Sequence, residues 1–302
     1  MGYIELKTGQ VALRSQKIIL PEFTMPARSG WSSVTCGNGK YVAVANDDSA
    51  GAYSSDGINW MEMSMPSSSR WSSVIYGNGK FVAVGEKNSA GAYSTDGINW
   101  TAVTLPEGSK WQSVTYGDGK FVAVGKPSQY AVIGAHSTDG INWSEMSMPT
   151  EGSKSVTYGN GKFVALGSNN TYNKSAYSID GINWTEMHPH NSIYMWNSVT
   201  YGNGKFVAVA SYHINKGVYS TDGISWTEMS LPADLQWTSV TYGGDKFVAV
   251  SRSSDKGAYS TDGINWTEFQ LPASRIWSSI TYGDGKYVAV ADDSNKGTWF
   301  EL

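Results

Sequence analysis

The sequence predicts an all-β protein, and two repeated phrases are the observations that predict it. The phrase WSSVTYGNGKFVAV recurs in variant forms at seven places, with spacings of 40, 40, 42, 43, 41 and 40 residues between successive copies. The phrase STDGINW, or a near-copy of it, follows six of these. A period of about 40 to 45 residues that contains several short apolar runs is typical of a β-propeller blade. We therefore predict a seven-bladed β-propeller with four antiparallel strands in each blade.

The second unit shows how the residues predict four strands. Trp71–Tyr76 is rich in aromatic and β-branched residues, which is typical of a strand. The turn Gly-Asn-Gly-Lys follows, and Asn-Gly between two apolar runs is a strong hairpin signal because both central residues must tolerate positive φ. The second strand is then Phe81–Gly85, the third is Gly91–Ser94 and the fourth is Ile98–Leu105. Because no segment shows a sustained helical period, we predict no helix.

The last unit lacks its fourth strand, and the start of the chain resembles the missing piece. The seventh unit ends at KGTWFEL, directly after its third strand. The segment Lys17–Pro26, KIILPEFTMP, aligns with Gly57–Pro66, GINWMEMSMP, and places Leu20 in the tryptophan position. We therefore predict that residues 1–302 form a single propeller domain in which Lys17–Pro26 completes the last blade. This pairing would close the ring and remove two open sheet edges.

Composition argues against several classes of function. Charged residues make up 16% of the chain and the formal net charge is -4, which does not suit a nucleic-acid partner. The single cysteine, Cys36, allows neither an intrachain disulfide nor a cysteine metal cluster. The sequence contains no run of about 18 apolar residues, so we predict no membrane insertion. The N-terminal residues MGYIELKTGQ lack the apolar region of a signal peptide. No glycine-rich loop leads from a strand into a helix, so we predict no cofactor.

The phrase STDGINW is interpreted as a structural turn. An aspartate can accept backbone N–H bonds inside a turn, glycine supplies the positive φ that the turn needs, and tryptophan buries a large apolar surface. A catalytic carboxylate would be needed once or twice, not in six equivalent places. One carboxylate per turn is also a poor calcium site, so we predict no catalytic residue and no metal site. The six structural aspartates are Asp56, Asp96, Asp139, Asp180, Asp222 and Asp262.

The same phrase resembles the Asp-box of sialidase-type propellers, Ser-x-Asp-x-Gly-x-x-Trp. Here one residue fewer separates the aspartate from the glycine, as in Ser94, Asp96, Gly97 and Trp100. Repeats of this kind are also similar to propeller regions of bacteriophage tail and receptor-binding proteins, which implies adhesion to a cell-surface ligand. Sialidases as a family hold the substrate carboxylate with three arginines, and the five arginines of this chain form no such pattern. No carboxylate pair for glycoside hydrolysis stands out either, so we expect no enzyme activity.

The candidate ligand-binding residues are the tryptophans that open the first strand of a unit and the arginines that precede them. The arginines fall in the connection between units, and the tryptophans follow it. The tryptophans therefore lie near the face that also carries the connection from the second strand to the third, which varies most from unit to unit. An indole there could stack on a sugar ring. The alternative is that it packs between adjacent blades; Ser153 takes its place in the fourth unit. The candidates are Trp31, Trp71, Trp111, Trp196, Trp237, Trp277, Arg28, Arg70 and Arg275.

These observations favour a binding module that recognises a glycan or receptor on a cell surface. We expect it to act on a virion or at an extracellular or cell surface, as a monomer or within a larger fibre or virion assembly. A protein–protein interaction scaffold is the alternative, and a sialidase-like glycoside hydrolase is a third possibility. His188, His190 and His213 could together bind a transition metal, but a solvated loop is the simpler interpretation.

Overall fold

The computed structural model of the chain describes residues 19–27, 29–46, 49–87, 89–107, 109–127, 133–149, 152–167, 175–189, 195–211 and 214–302. Within these residues every regular element is a β-strand and no helix occurs, which confirms the all-β prediction. It follows that no helix in the described ranges is available to cross a membrane. The strands, in chain order, are β1 Glu22–Thr24, β2 Trp31–Gly37, β3 Lys40–Ala45, β4 Ala50–Ser54, β5 Met61–Ser64, β6 Trp71–Gly77, β7 Lys80–Gly85, β8 Ala90–Ser94, β9 Thr101–Thr104, β10 Ser109–Gly117, β11 Lys120–Pro127, β12 Ile133–Ser137, β13 Ser144–Ser147, β14 Ser153–Gly159, β15 Lys162–Gly167, β16 Ser175–Ser178, β17 Thr185–Met187, β18 Trp196–Gly202, β19 Lys205–Ala210, β20 Ile214–Ser220, β21 Thr227–Gly243, β22 Lys246–Ser260, β23 Thr267–Gly283, β24 Lys286–Ala291 and β25 Lys296–Phe300.

The first four repeated units each form one four-stranded antiparallel sheet. The sheets have the strand orders β2-β3-β4-β5, β6-β7-β8-β9, β10-β11-β12-β13 and β14-β15-β16-β17. The hairpin between the first two strands of the second unit turns through Asn78 and Gly79, whose φ angles are 47° and 73°. Both are left-handed, as a two-residue hairpin loop requires, and this explains the Asn-Gly and Asp-Gly pairs of the sequence.

The last three units share one nine-stranded sheet, in the order β1-β25-β24-β23-β22-β21-β20-β19-β18. Three of its strands are long because each pairs first with one neighbour and then with another. In β21, residues 227–230 pair with β20 and residues 236–243 pair with β22. The sequence predicts that a separate sheet forms for each unit, but here the connecting segments also pair. In the connection within the sixth unit, Arg252 lies opposite Ile276 and Ser254 lies opposite Arg275 in the connection to the seventh unit.

The fourth strand of a unit begins later than the sequence predicts. In the second unit it is Thr101–Thr104, not Ile98–Leu105. The backbone N–H groups of Ile98 and Asn99 each donate to Oδ1 of Asp96 at 2.8 Å. Since these groups serve the turn, they are not available to the sheet, and the strand starts after the tryptophan.

The strand β1 lies beside β25, the last strand of the chain. Glu22 is opposite Thr298 and Phe23 is opposite Gly297. A Cβ atom on Gly297 would come within 2.2 Å of the Phe23 ring, so only glycine admits the ring at this point. The Thr298 hydroxyl donates to the carbonyl of Pro21 at 2.7 Å. The strand is shorter than the segment 17–26 that the sequence assigns to this place, and residues 17 and 18 lie outside the described residues.

The first strands of neighbouring units are joined by one repeated hydrogen bond. The serine two residues after the tryptophan position accepts from a backbone N–H of the next unit, as Ser33 Oγ does from Val74 at 3.1 Å. The bond from Val34 to Ser279 connects the first unit to the last, so the series returns to its start. The donor and acceptor pairs are Val74–Ser33, Val114–Ser73, Val156–Ser113, Val199–Ser155, Val240–Ser198, Ile280–Ser239 and Val34–Ser279.

The hydrophobic core lies between neighbouring units. In one cluster, Val42 and Val44 from β3 pack against Trp71 and Phe81 of the next unit. Residues 41–45 are all buried, which explains why the second strand of each unit is continuously apolar: both of its faces are covered. Seven clusters of this kind occur among the described residues.

Candidate ligand-binding site

The tryptophans that open the first strands are core residues. Trp31, Trp71, Trp111, Trp196, Trp237 and Trp277 are all 0% exposed. The indole N–H of Trp71 donates to the carbonyl of Ser67 at 3.2 Å, and its ring packs with Phe81 and Met65. A fully buried indole has no free face for a sugar ring. The hypothesis that these rings form the contact surface is therefore wrong, and their packing between adjacent units is the arrangement found.

The candidate arginines have different environments. Arg70 is exposed and lines a cavity described below. Arg275 instead donates to Glu22, with Nη2 at 2.6 Å from Oε1, and to the hydroxyl of Ser294 at 3.1 Å. It therefore ties the first strand to the last unit, and it is not among the residues that line the cavity. Arg28 lies outside the described residues.

A polar cavity of about 500 Å³ lies where the first strands of the units begin. Three kinds of position supply all of its lining except Trp71: the residue after the tryptophan position, the residue that follows the second strand or its equivalent in β22, and the residue before the tryptophan. Because six different units contribute, the cavity lies where the units converge. Its lining residues are Ser32, Ser72, Lys154, Asn197, Thr238, Ser278, Asn46, Glu86, Arg252, Asp292, Arg70, Trp71 and Ile276.

A β-bulge aims one side chain of each of six units at the cavity. In the second unit Trp71 pairs with Gly85, but Ser73, two residues later, pairs with Val84, so Ser72 is the extra residue. The same register shift occurs in all seven first strands. A bulge leaves its extra residue outside the ladder and redirects its side chain, which is why bulges often occur at functional sites. The buried indole and the cavity-lining side chain are thus sequence neighbours with opposite environments.

Most of the bulge side chains are bound to the next unit. The Ser72 hydroxyl donates to the carbonyl of Trp111 at 2.7 Å. The amide of Asn197 donates to the carbonyl of Trp237 at 3.0 Å. The hydroxyls of Ser32, Thr238 and Ser278 make the equivalent bonds. These contacts fix the wall of the cavity and hold its polar groups in place.

The third and fourth units depart from this pattern. Gln112 donates its side-chain N–H to Glu86 Oε1 at 2.6 Å, and its Oε1 accepts from Lys154 Nζ at 2.8 Å. Gln112 is buried, so its amide orientation is fixed by these two charged partners. Burial lowers the pKa of Lys154, and the positive charge of Lys126 acts in the same direction, whereas Glu86 opposes both. The chain Glu86–Gln112–Lys154 is therefore a local asymmetry in an otherwise repetitive wall.

A second polar contact lies on the wall between the first and last units. The side-chain amide of Asn46 donates to Asp292 Oδ1 at 3.0 Å. Both side chains pack over Gly30, where an added Cβ would come within 2.1 Å of Asn46 Oδ1. Glycine at this position therefore permits the amide and the carboxylate to lie side by side at the edge of the cavity.

The cavity lining combines three cations with two carboxylates. The cations are Arg70, Lys154 and Arg252, and the carboxylates are Glu86 and Asp292. Arg70 and Arg252 are both exposed, and no ion pair joins either of them to another residue in the described ranges. The lining therefore carries an excess of one positive charge and offers guanidinium groups to a ligand.

The aspartates of the repeated turns are engaged within those turns. Asp96 accepts hydrogen bonds from the backbone and side chain of Asn99, from the Ile98 N–H and from the Ser94 hydroxyl, all at 2.8 to 2.9 Å. The backbone bond from Asn99 holds the pKa of Asp96 below its usual range; burial opposes it and the other bonds add to it. Antiparallel alternation places these turns at the opposite end of the strands from the cavity. The carboxylates of all six turns make the same bonds to the N–H groups two and three residues later.

Sequence reasoning missed Lys154, the most distinctive residue of the cavity, and its partner Gln112. The position after the tryptophan holds serine, threonine or asparagine in five units but Gln112 and Lys154 in the third and fourth. Comparing this one position across the units would have identified both residues. The long variable segments singled out by sequence fall mainly on residues 128–132, 168–174 and 190–194, which lie outside the described residues, as do His190 and His213. The described residues contain no cluster of three side chains suited to a metal ion.

Comparisons with known proteins support the propeller fold. The model of the DUF6242 beta propeller domain matches residues 23–153. Virginiamycin B lyase from Staphylococcus aureus is similar at 15% identity with a TM-score of 0.80, covering 94% of this chain and 99% of that one. A structure of YCF48 bound to D1 peptide is similar at 12% identity with a TM-score of 0.73, covering 95% and 96%. A chain of the Mitotic Checkpoint Complex gives 8% identity and a TM-score of 0.75, covering 99% and 97%. No curated protein matches the chain.

The expectation that the chain is not an enzyme is overturned by one of these similarities. Virginiamycin B lyase is an enzyme, and its fold extends over nearly the whole of this chain. The absence of a sialidase-like arginine pattern in this chain argues only against sialidase chemistry. The propeller architecture itself is compatible with catalysis. At 15% identity the similarity shows the fold alone, so the chain is a β-propeller whose activity has to be argued from its own residues.

Proposed function

We propose that the chain is a seven-bladed propeller domain that binds a cell-surface glycan in the cavity where its units converge. The blade number is supported by the long strands β21, β22 and β23. Each of β21 and β23 serves as the last strand of one blade and the first strand of the next, and β22 serves as both the second and the third strand of the blade between them. With four four-stranded sheets, the nine-stranded sheet then supplies three more blades. The hydrogen bond from Val34 to Ser279 supports closure between the first blade and the last.

The composition and size of the cavity carry the proposal. Its volume of about 500 Å³ lies in the range of about 300 to 1,000 Å³ that is usual for ligand sites. The lining is rich in amide, hydroxyl, carboxylate and guanidinium groups, and no aromatic face is exposed in it. Such groups hydrogen-bond well to a polyhydroxylated ligand, because each sugar hydroxyl both donates and accepts. The lining therefore suits a sugar better than an apolar ligand.

A peptide or protein partner is the second candidate for the same cavity. The structure of YCF48 with its peptide shows that one propeller of this architecture accepts a peptide. Arg70 and Arg252 could equally contact an acidic peptide. We favour the glycan because the cavity lining lacks the apolar pockets that usually anchor peptide side chains. For a glycan ligand, the place of action that we propose is a virion or cell surface, within a larger fibre or alone.

A glycan array with matched arginine variants tests the proposal. The wild type should retain a subset of glycans, and Arg70→Ala should weaken retention roughly tenfold, the effect of losing one charged hydrogen bond. Arg275→Ala is the control, since it removes the same charge outside the cavity and should leave retention unchanged once folding is verified. Failure of every glycan to bind, or equal binding by Arg70→Ala and the wild type, would reject the proposal.

A further inference from the structure

The bulge position of the fourth unit holds a cation where four other units hold a bound hydroxyl and two hold a bound amide. Ser72 and its equivalents donate to the backbone carbonyl of the next unit, which satisfies their hydroxyl. Lys154 occupies the same position, and its ammonium group carries three N–H donors. One of them bonds to Gln112 Oε1 at 2.8 Å. Within the described part of the chain the other two have no protein acceptor, and Lys154 lines the cavity.

Gln112 separates Lys154 from the nearest carboxylate. Its amide donates to Glu86 on one side and accepts from Lys154 on the other. The two charges therefore face each other across a neutral group and form no direct ion pair. Because Gln112 is buried, it cannot move aside without losing two charge-assisted hydrogen bonds. The ammonium group is thus held in place while its charge remains available to a ligand.

The charges of the lining indicate the charge of that ligand. Arg70, Lys154 and Arg252 exceed Glu86 and Asp292 by one positive charge. Partial burial already makes the charged form of Lys154 costly, and a nearby anion would offset this cost. A single negative charge balances the lining, whereas a phosphate carries about 1.5 to 2 charges and exceeds it. The matching ligand group is therefore a monoanion.

We propose that Lys154 binds the carboxylate of an acidic sugar in the cavity, with Arg70 and Arg252 contacting the rest of the ligand. This inference rests on the proposed glycan-binding function and adds its ligand class, a uronic-acid type of glycan. A sulfate ester on a neutral sugar carries the same single charge. Both sources of the anion must therefore be compared in the test.

The test is titration calorimetry with oligosaccharides that contain one uronic acid, each measured beside its methyl ester and beside a neutral oligosaccharide of equal length that carries one sulfate. The ester keeps the sugar backbone and removes the charge. The wild type should bind at least one acid roughly tenfold more tightly than its ester and than the sulfated compound. Lys154→Met should bring the acid down to the affinity of its ester, and Lys154→Arg should retain the preference. Lys162→Met is the matched control, since Lys162 belongs to the same unit but lies at the hairpin end of β15 and does not line the cavity.

The failures of the two proposals are distinguishable. Equal affinity for acids and esters would overturn the carboxylate inference and leave the glycan proposal standing. Preference for the sulfated compound would also overturn it, as would a preference for acids that survives in folded Lys154→Met. Binding of no oligosaccharide at all would overturn the proposed function and this inference together.

Discussion

At the scale of single residues, two adjacent positions in each unit have opposite roles. Trp71 is buried between units, and Ser72 lines the cavity. The sequence identifies the tryptophan as a repeated feature, but its burial depends on strands β3 and β7 from two different units. The bulge at Ser72 cannot be predicted from the apolar pattern, because one extra residue after the tryptophan has the same composition as a regular strand. The aspartate turns were easier to predict since all their partners lie within three residues.

The burial of the tryptophans predicts a stability effect. Trp71→Ala should lower the free energy of unfolding by about 3 to 5 kcal/mol, because it leaves a large void between two units. Urea denaturation of the variant and the wild type measures this difference. Trp100→Ala, in the partly buried tryptophan of the neighbouring turn, should cost less. An unchanged unfolding free energy combined with lost ligand binding would contradict the core role and restore the surface role.

The turn carboxylates predict a dependence of stability on pH. Hydrogen bonds hold the pKa of Asp96 below its unfolded value of about 3.9. A group with a lowered folded pKa stabilises the fold above its unfolded pKa, and this stabilisation is lost as the pH falls toward the folded value. The thermal unfolding midpoint should therefore fall steadily below about pH 4. The difference in midpoint between the wild type and Asp96→Asn, measured at pH 7 and pH 3, should be smaller at pH 3; an equal difference would contradict the role of the charge.

At the scale of elements, sequence predicts most strands but not their ends. In the second unit the first and second strands match to within one residue, because its dense apolar runs flank an Asn-Gly turn. The fourth strand starts late because the N–H groups of Ile98 and Asn99 donate to the carboxylate of Asp96 and not to a neighbouring strand. Strand propensity does not predict this competition for backbone N–H groups. The long strands β21 to β23 depend on pairing between connections such as Arg252 with Ile276, which lie far apart in the sequence.

The pairing of the first strand with the last predicts a local opening. Phe23 is 5% exposed, lies over Gly297 and stacks on Trp60 at 5.6 Å between ring centroids. Phe23→Ala should therefore destabilise the pairing of β1 with β25 by about 3 to 5 kcal/mol. It should also raise the hydrogen-exchange rates of amides in Lys296–Phe300. The amides of β14 to β17, a sheet without contact to this strand, serve as the internal control. Unchanged exchange in Lys296–Phe300 would contradict a closing role for β1.

At the scale of the whole molecule, the cavity exists only because distant positions converge. The repeated units could be predicted from the period alone, and with them the propeller fold. The cavity could not, since its side chains come from six units and residues such as Asn46 and Asp292 are brought together across most of the chain. The proposed ligand contact at Lys154 therefore depends on positions where the repeats differ, because Gln112 holds Lys154 in place.

The measurement that tests the account most directly is hydrogen exchange of the full chain with and without its best-binding glycan. If the cavity is the site, protection should appear in the opening residues of the first strands, such as Trp71–Ser73 and Ser153–Ser155. The turns at the opposite end, such as Thr95–Asn99, should exchange unchanged. Protection at those turns with none at the first-strand openings would contradict the account.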